Sequence, residues 1–340
     1  MQQRVITFGE IMLRLATPGY QRFCQANSFE VTYGGSEANV AVSLAHLGIG
    51  STFVTALPEN DLAKSAMMNL MKFGVTPYIH FSGDRMGTYF LEKGASMRGS
   101  KVIYDRDGSS FAKLDPGNID WEEIFDGASI FHWSGINPAV SSSAAEAALE
   151  AVKKANEKGL VITTDLNYRS KLWKWGKRPK EVLPSLLEYC DVIIGNEEAW
   201  SECLDISLSE NVEDLSDDQI SELTDQVFKR FEKTTKVVQT IRRTVSANHN
   251  TWEAALWNGE KLFRSPKYNI PEIVDRVGGG DSFVAGLIFG LCKNKGDQSS
   301  LSFATAASAI KLSVEGDFNL ISESEIEGIL KGGTSGRIVR

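Results

Sequence analysis

The stretch "DRVGGGDSFVAGLIFGL", residues 275–291, sets Gly278, Gly279 and Gly280 directly before Asp281 and then runs into apolar residues. Glycines let a backbone fold tightly and turn successive N–H groups toward one point, and a helix starting there adds the positive end of its dipole. That chemistry is an anion site with a carboxylate at its edge. The plainer alternative is a tight turn in which Asp281 caps the helix. Polar residues also close three other apolar runs: "TTDLNYR" carries Asp165, Asn167 and Arg169, "GNEE" carries Asn196 and Glu197, and "TIRR" carries Arg242. Each alone reads as a cap or loop residue. A parallel sheet would gather them on one rim, where ligands of open α/β sheets bind.

The elements that must position these residues are legible as alternation. Short β-branched or aromatic runs, "RVITFGE", "STFVTAL", "SIFHWSG", "LVITTDLN", "DVIIGN" and "KVVQTIR", are each followed by a segment of helical period. Near-continuously apolar strands separated by helices predict an α/β fold with a mostly parallel sheet covered on both faces. "SEANVAVSLAHLG" predicts a helix with Ser36 as N-cap and Gly48 as its stop. Residues of about 11–34 and 76–114 break the pattern with hairpin-like strands and predict a small antiparallel lid beside the main sheet. The acidic run "DISLSENVEDLSDDQ" reads as a solvated loop, and "KGGTSGRIVR" as a fraying tail.

Other nucleotide signatures fail. "GASMRGSK" reverses the Lys and Ser of a Walker A loop and falls in the hairpin region. The first strand is followed by a single glycine, and Phe283 stands where a dinucleotide fingerprint begun at Gly278 would need its last glycine. With 340 residues and 42% hydrophobic content the chain can bury a large core as one domain. Its net charge of -8 argues against nucleic acid or an anionic membrane as partner, so any anionic substrate must be met by locally placed cations. Cys24, Cys190, Cys203 and Cys292 are widely spaced and predict neither a zinc site nor disulfides, which fits a reducing cytoplasm. "MQQRVITFGEIML" has no long apolar run before Glu10, so neither export nor membrane insertion is expected.

With these residues in view, the sequence resembles the ribokinase-like carbohydrate kinases, the PfkB family. "GGSEANVAVSLAHLG" is similar to the family's first signature and "DRVGGGDSFVAGLIFGL" to its second, with G-G-G-D where G-A-G-D is usual. Within the family the likeness, carried by "GEIMLRL", "VIYDRDGSS", "DLNYRSKLW", "SANHNTWEA" and "GDFN", is to the branch that phosphorylates 2-keto-3-deoxygluconate. It implies a three-layer α/β/α domain over residues 1–340 and transfer of the ATP γ-phosphoryl to the 6-hydroxyl of that sugar acid. Another sugar, such as fructose, or a catalytically silent sugar sensor would be the alternatives.

The resemblance also implies roles. Asp281 would face the sugar hydroxyl as base, with Gly278, Gly279 and Gly280 as anion hole. An aspartate of ordinary pKa is a poor base and a helix N-terminus lowers it further, which a loose phosphoryl-transfer transition state tolerates. Arg106 and Arg169 would bind the acid sugar's carboxylate, as paired guanidinium donors suit it. Tyr89 and Tyr104 would line the lid, Gly34 and Gly35 would let the backbone approach the sugar, and Asn39 would bond its hydroxyls. Leu13 and Arg14, where many neutral-sugar relatives carry an aspartate nearby, count against ribose or a nucleoside. On the nucleotide side Asn196 and Arg242 would meet the triphosphate, and Ala307 and Asn319 the adenine. Mg²⁺ would arrive with ATP, and Asp275 and Val277 mark a candidate K⁺ site. The tryptophans of "KLWKWG" either cover the pocket or pack the surface. Exposed lid edges point to a homo-oligomer paired through the lid.

Overall fold

The computed structural model describes residues 3–206 and 215–333. The central part of the acidic run, 207–214, and the end of the tail, 334–340, lie outside the described residues. The chain opens with β1 (Arg4–Phe8), β2 (Met12–Ala16), β3 (Glu30–Gly34) and α1 (Ser36–His46), followed by β4 (Gly50–Leu57), α2 (Asp61–Lys72) and β5 (Thr76–Phe81). Next come β6 (Thr88–Glu92), β7 (Lys101–Asp105), α3 (Trp121–Phe125), β8 (Ile130–Ser134), α4 (Ile136–Val140), α5 (Ser142–Glu157) and β9 (Val161–Asp165). The middle of the chain supplies α6 (Pro179–Leu187), β10 (Val192–Gly195), α7 (Glu197–Leu204), α8 (Asp217–Arg230) and β11 (Lys236–Ser246). The rest is β12 (His249–Trp257), β13 (Leu262–Arg264), β14 (Tyr268–Ile270), α9 (Gly279–Cys292), α10 (Asp297–Lys311) and α11 (Glu323–Leu330).

The six apolar runs become β1, β4, β8, β9, β10 and β11, and every contact between neighbours among them is parallel. The main sheet runs β13-β12-β11-β10-β9-β8-β1-β4-β5, with β14 on β12. Successive side chains of a strand face opposite ways, which makes the layers visible in neighbouring residues. Val5, Val192 and Val238 enter one buried cluster with α1, α9, α10 and α11. Ile6, Ile193 and Val237 enter another with α3, α5, α6, α7 and α8. The result is the expected three-layer α/β/α arrangement. The antiparallel edge of β12, β13 and β14 is an addition that the alternation did not reveal.

The lid is a second sheet of order β3-β2-β6-β7. Its outer pairs are antiparallel, but β2 and β6 at its centre run parallel, so the sheet is mixed. Its bounds also differ from those expected. β5 is not a lid strand; it pairs parallel with β4 and forms an edge of the main sheet. After β7 the chain returns to the core, where Phe111 and Leu114 are buried.

Candidate active site

The parallel strands end on one edge of the sheet, and the lid stands over that edge. Between them lies a cavity of about 510 Å³. Asp165, Asn167, Arg169, Asn196, Glu197 and Arg242 all line it, as do all three glycines of the run and Asp281. The rim expected from separate strand ends is therefore one site.

Helix α9 fixes its centre. The helix is apolar almost throughout and buried, with Phe283 and Phe289 wholly enclosed; each such side chain contributes about 2 kcal/mol. Gly278 is the residue before its first turn and holds a left-handed φ of 78°. A Cβ there would stand 2.0 Å from the carbonyl oxygen of Asp317. Only glycine satisfies both conditions. The carbonyl of Gly279 accepts a bond from Ser308 Oγ at 2.7 Å, which ties the turn to α10.

Asp281 sits in the first turn of α9 and is buried. It is not the cap. Its Oδ1 accepts from Ser36 Oγ at 2.7 Å and its Oδ2 from Asn39 Nδ2 at 2.6 Å. Ser36 in turn accepts from Asn167 Nδ2 at 2.9 Å, so the expected capping role of Ser36 gives way to a link in this chain; Gly35 precedes α1 without a side-chain cap. Asn167 adopts a left-handed φ of 39°, uncommon outside glycine, and its N–H donates to Asp165 Oδ1 at 3.0 Å. The expectation that the helix N-terminus would depress Asp281 is reversed. Burial raises its pKa, and the bonds from Asn39 and Ser36, then the charge of Arg169, offset only part of the rise. Burial likewise pushes Asp165 and Glu37 up to about 7 each.

Cations surround these carboxyl groups. Arg106 is buried, and its Nε donates to Glu10 Oε2 at 2.7 Å while Nη2 meets the same oxygen. Arg169 is exposed and acts electrostatically on Asp281, Asp165 and Arg242. Lost hydration and then the nearby charges of Arg276 and Arg169 lower the pKa of Arg242. Arg276 lines the same wall, with one bond to Asn250 Oδ1 at 3.2 Å and a buried Nε that has no partner among the described residues. Tyr89 and Tyr104 face each other across β6 and β7 and both line the cavity.

Four expected residues do not reach the cavity. Gly34 is not on its wall: a Cβ there would lie 2.1 Å from Asp317 Oδ2, so the missing side chain makes room for that carboxylate and not for a ligand. Ala307 is wholly buried in the packing of α9 and α10, and its neighbour Ser308 lines the cavity instead. Asn319 is buried, donating to Ser43 Oγ at 3.2 Å and Ser282 Oγ at 2.9 Å. Asp275 is buried in an ion pair with Arg14 beneath the glycine turn, while Val277 does border the cavity. Asn196 lines the cavity and also caps α7 through Ala199 N–H at 2.8 Å. Trp173 and Trp175 stack on each other at 6.3 Å, and Trp175 bonds Pro138, outside the cavity wall. The sequence reading missed Ser36, Glu37, Arg276 and Asp317. Each lies inside a quoted motif, but only the pairing across the chain distinguishes it from its neighbours.

An α/β/α sheet whose strand ends, glycine turn and strand lid enclose one crevice lined by arginines and carboxyl groups has the architecture of a carbohydrate kinase. The chain belongs to the pfkB family carbohydrate kinases, whose profile matches residues 2–323. The structure of a 2-dehydro-3-deoxygluconokinase from Thermotoga maritima is 42% identical, with a TM-score of 0.91 over 97% of this chain and 100% of its own. A 2-dehydro-3-deoxygalactonokinase from Haloferax volcanii is 30% identical over 99% of both chains. A structure from E. coli in complex with ATP and Mg²⁺ is 19% identical, with a TM-score of 0.77 over 97% of this chain and 99% of its own, a likeness of fold alone. Among the described residues no helix is long and apolar enough to cross a membrane.

Proposed function

We propose that the chain transfers the γ-phosphoryl group of ATP to the 6-hydroxyl of 2-keto-3-deoxygluconate, giving 2-keto-3-deoxy-6-phosphogluconate and ADP. The observation that carries this reading is Asp281, buried with a raised pKa beside the amides of the glycine turn, in a cavity that also holds Arg106 and Arg169. The 6-oxygen forms a bond to the γ-phosphorus as the bond from phosphorus to the β,γ-bridging oxygen breaks. Asp281 takes the hydroxyl proton. A raised pKa makes it a better acceptor than an ordinary aspartate, and Ser36 and Asn39 hold its two oxygens in place. The N–H groups of Gly279 and Gly280, with that of Gly278, stabilise the charge on the transferring group, and positioning with charge stabilisation supplies most of the acceleration.

Arg169, with Arg106 behind it, meets the sugar's carboxylate, and Tyr89, Tyr104 and Gly35 shape the sugar end. Arg242, Arg276 and Asn196 meet the triphosphate. Mg²⁺ arriving with ATP would neutralise charge on the β- and γ-phosphates. Among the described residues no cluster of three acidic or histidine ligands forms a ready-made cage, which fits an ion carried in on phosphates and held by one or two carboxylates. Asp165 lines the cavity and could serve that task, as could Glu197 once its contact with Arg243 at 3.0 Å is exchanged. Use of Mg-ATP and four free cysteines fit a reducing, ATP-supplied compartment such as the cytoplasm. Val31 and Ile103, exposed on the lid, support pairing of two chains through that sheet; a single-chain mass in solution would remove the pairing.

The test is ADP release from Mg-ATP against 2-keto-3-deoxygluconate, its galacto epimer, fructose and ribose. The likeness to the Haloferax enzyme makes the epimer a second candidate substrate. Turnover with either keto-deoxy acid well above that with the neutral sugars is expected, together with loss of turnover but retained ATP binding in Asp281→Asn. Absence of turnover with both acids sinks the substrate assignment, and an active Asp281→Asn removes the base.

A further inference from the structure

Four charged side chains lie buried beneath the glycine turn: Arg14 from the lid strand β2, Asp275 from the start of the turn, Lys311 from the end of α10, and Asp317 from the segment after it. Arg14 Nη2 meets Asp275 Oδ2 at 2.5 Å and Arg14 Nη1 meets Asp317 Oδ1 at 2.5 Å. Asp275 Oδ1 accepts from Val277 N–H at 3.1 Å, and its Oδ2 also accepts from Gly316 N–H at 3.2 Å. Asp317 Oδ2 accepts from Tyr89 Oη at 2.6 Å.

Lys311 is the unusual member. It is fully buried and makes no ion pair at contact distance among the described residues; its Nζ donates to the backbone carbonyls of Gly316 at 2.6 Å and Val314 at 3.3 Å. A buried ammonium is costly unless something nearby requires its charge. Burial lowers its pKa, and Asp275, then Asp317, with a smaller part from Asp281, work against that lowering. The carbonyls it holds belong to the loop whose next residue, Asp317, presses its own carbonyl oxygen against Gly278. The Leu312 carbonyl, next to Lys311 in the chain, accepts from the N–H groups of Val274 and Asp275 at 2.9 and 3.3 Å. Lys311 thus holds the loop on which the turn leans, and Arg14 ties the same acids to the lid.

We infer that Lys311 and Arg14 are built-in cations that position the anion-binding turn, so that phosphoryl transfer by this chain requires no external monovalent cation. On this inference the candidate K⁺ site at Asp275 and Val277 would hold no ion. Both oxygens of Asp275 are engaged, the carbonyls of Val314 and Gly316 are taken by Lys311, and two positive charges already balance two negative ones. A further ion there would be a third cation, competing with Arg14 and Lys311 for oxygens they already hold.

The inference rests on the kinase reading above, and its test has a readout independent of turnover. Thermal melting and phosphotransfer of the intact protein are compared in KCl, NH₄Cl and tetramethylammonium chloride at equal ionic strength. The wild type should show the same melting temperature in all three salts, and rates within about twofold. Lys311→Met should lose about tenfold or more in kcat with little change in the KM for sugar. It should also gain a rise in melting temperature and a partial return of kcat in K⁺ or NH₄⁺ but not in tetramethylammonium. A wild type that is activated or stabilised several-fold more by K⁺ than by tetramethylammonium overturns the inference, as does a Lys311→Met protein with unchanged kcat. Should that variant not fold, the wild-type salt comparison still decides. Absence of turnover in every salt would count against the kinase reading, while the melting comparison would still test the built-in cations.

Discussion

Glu37, on the first turn of α1, is almost completely buried at 1% exposure and lines the cavity near Asp281. Burial pushes its pKa from the ordinary 4.5 up to about 7, with Ser134 drawing it partly back. At about 1.4 kcal/mol per unit, that rise corresponds to about 3 kcal/mol. The sign follows from proton counts. Between the two values the folded chain holds the proton and the unfolded chain does not, so stability must fall as pH rises. The contribution of the neutral carboxyl is fully present below the ordinary pKa and lost as pH passes about 7. Glu37→Gln keeps the shape of the side chain and removes its titration. Urea unfolding of both proteins from about pH 5 to about pH 8 should therefore show a gap that opens in favour of the variant. It should gain roughly 2–3 kcal/mol on the wild type across that range, whatever fixed offset the amide introduces. A gap that stays constant with pH, or that opens toward acid, would refute the claim that Glu37 is held neutral by its burial.

Two further substitutions probe the turn and the cations. Gly278→Ala must place a Cβ against the Asp317 carbonyl while holding a left-handed φ. It should cost about 1–2 kcal/mol from backbone conformation alone, more from the clash, and about a hundredfold in kcat if the turn's amides bind the transferring group. Near-normal kcat in steady-state assays would deny them that role. Arg169→Ala should raise KM for a keto-deoxy acid by about tenfold or more and leave KM for a neutral sugar nearly unchanged, since a charge-assisted bond is worth about 1.5–3 kcal/mol. Equal effects on both sugars would take the carboxylate away from Arg169.

The parts of the fold that were legible in the sequence are those written locally. An apolar run such as "VIIG" needs both of its faces covered, so it announces a central parallel strand wherever it stands. The glycine run announces a turn before a helix for a similar reason. What was not legible depends on partners far away in the chain. Thr76–Phe81 is short, half-exposed and contains a proline, as a lid hairpin would, and only its pairing with β4 assigns it to the main sheet. Ser36 has the chemistry of a cap, and only the arrival of Asp281, 245 residues on, turns its hydroxyl elsewhere. Ala307 and Asn319 occupy motifs beside the cavity but point into the packing between helices, because neighbouring residues on a helix or loop face different ways. Arg14 and Asp317 are separated by 303 residues, and no spacing rule connects them.

The same contrast bears on how a chain of net charge -8 could hold the anions proposed for its crevice. Burial disfavours the charge of two cavity carboxyls, while a buried arginine beneath the cavity keeps its charge through pairing. Glu37 and Asp165 lose hydration without gaining a close cationic partner, so at neutral pH both are only partly ionised. Arg14 loses hydration too, but Asp317 and Asp275 more than offset the loss and raise its pKa. Burial therefore removes negative charge from the crevice while pairing preserves the positive charge beneath it, and Arg169, Arg242 and Arg276 face the opening in addition. Raising the pH above about 7 restores the missing negative charge and works against every anion the crevice would hold. The local field is thus set by which groups the fold leaves unpaired, and the net charge of the chain says little about it.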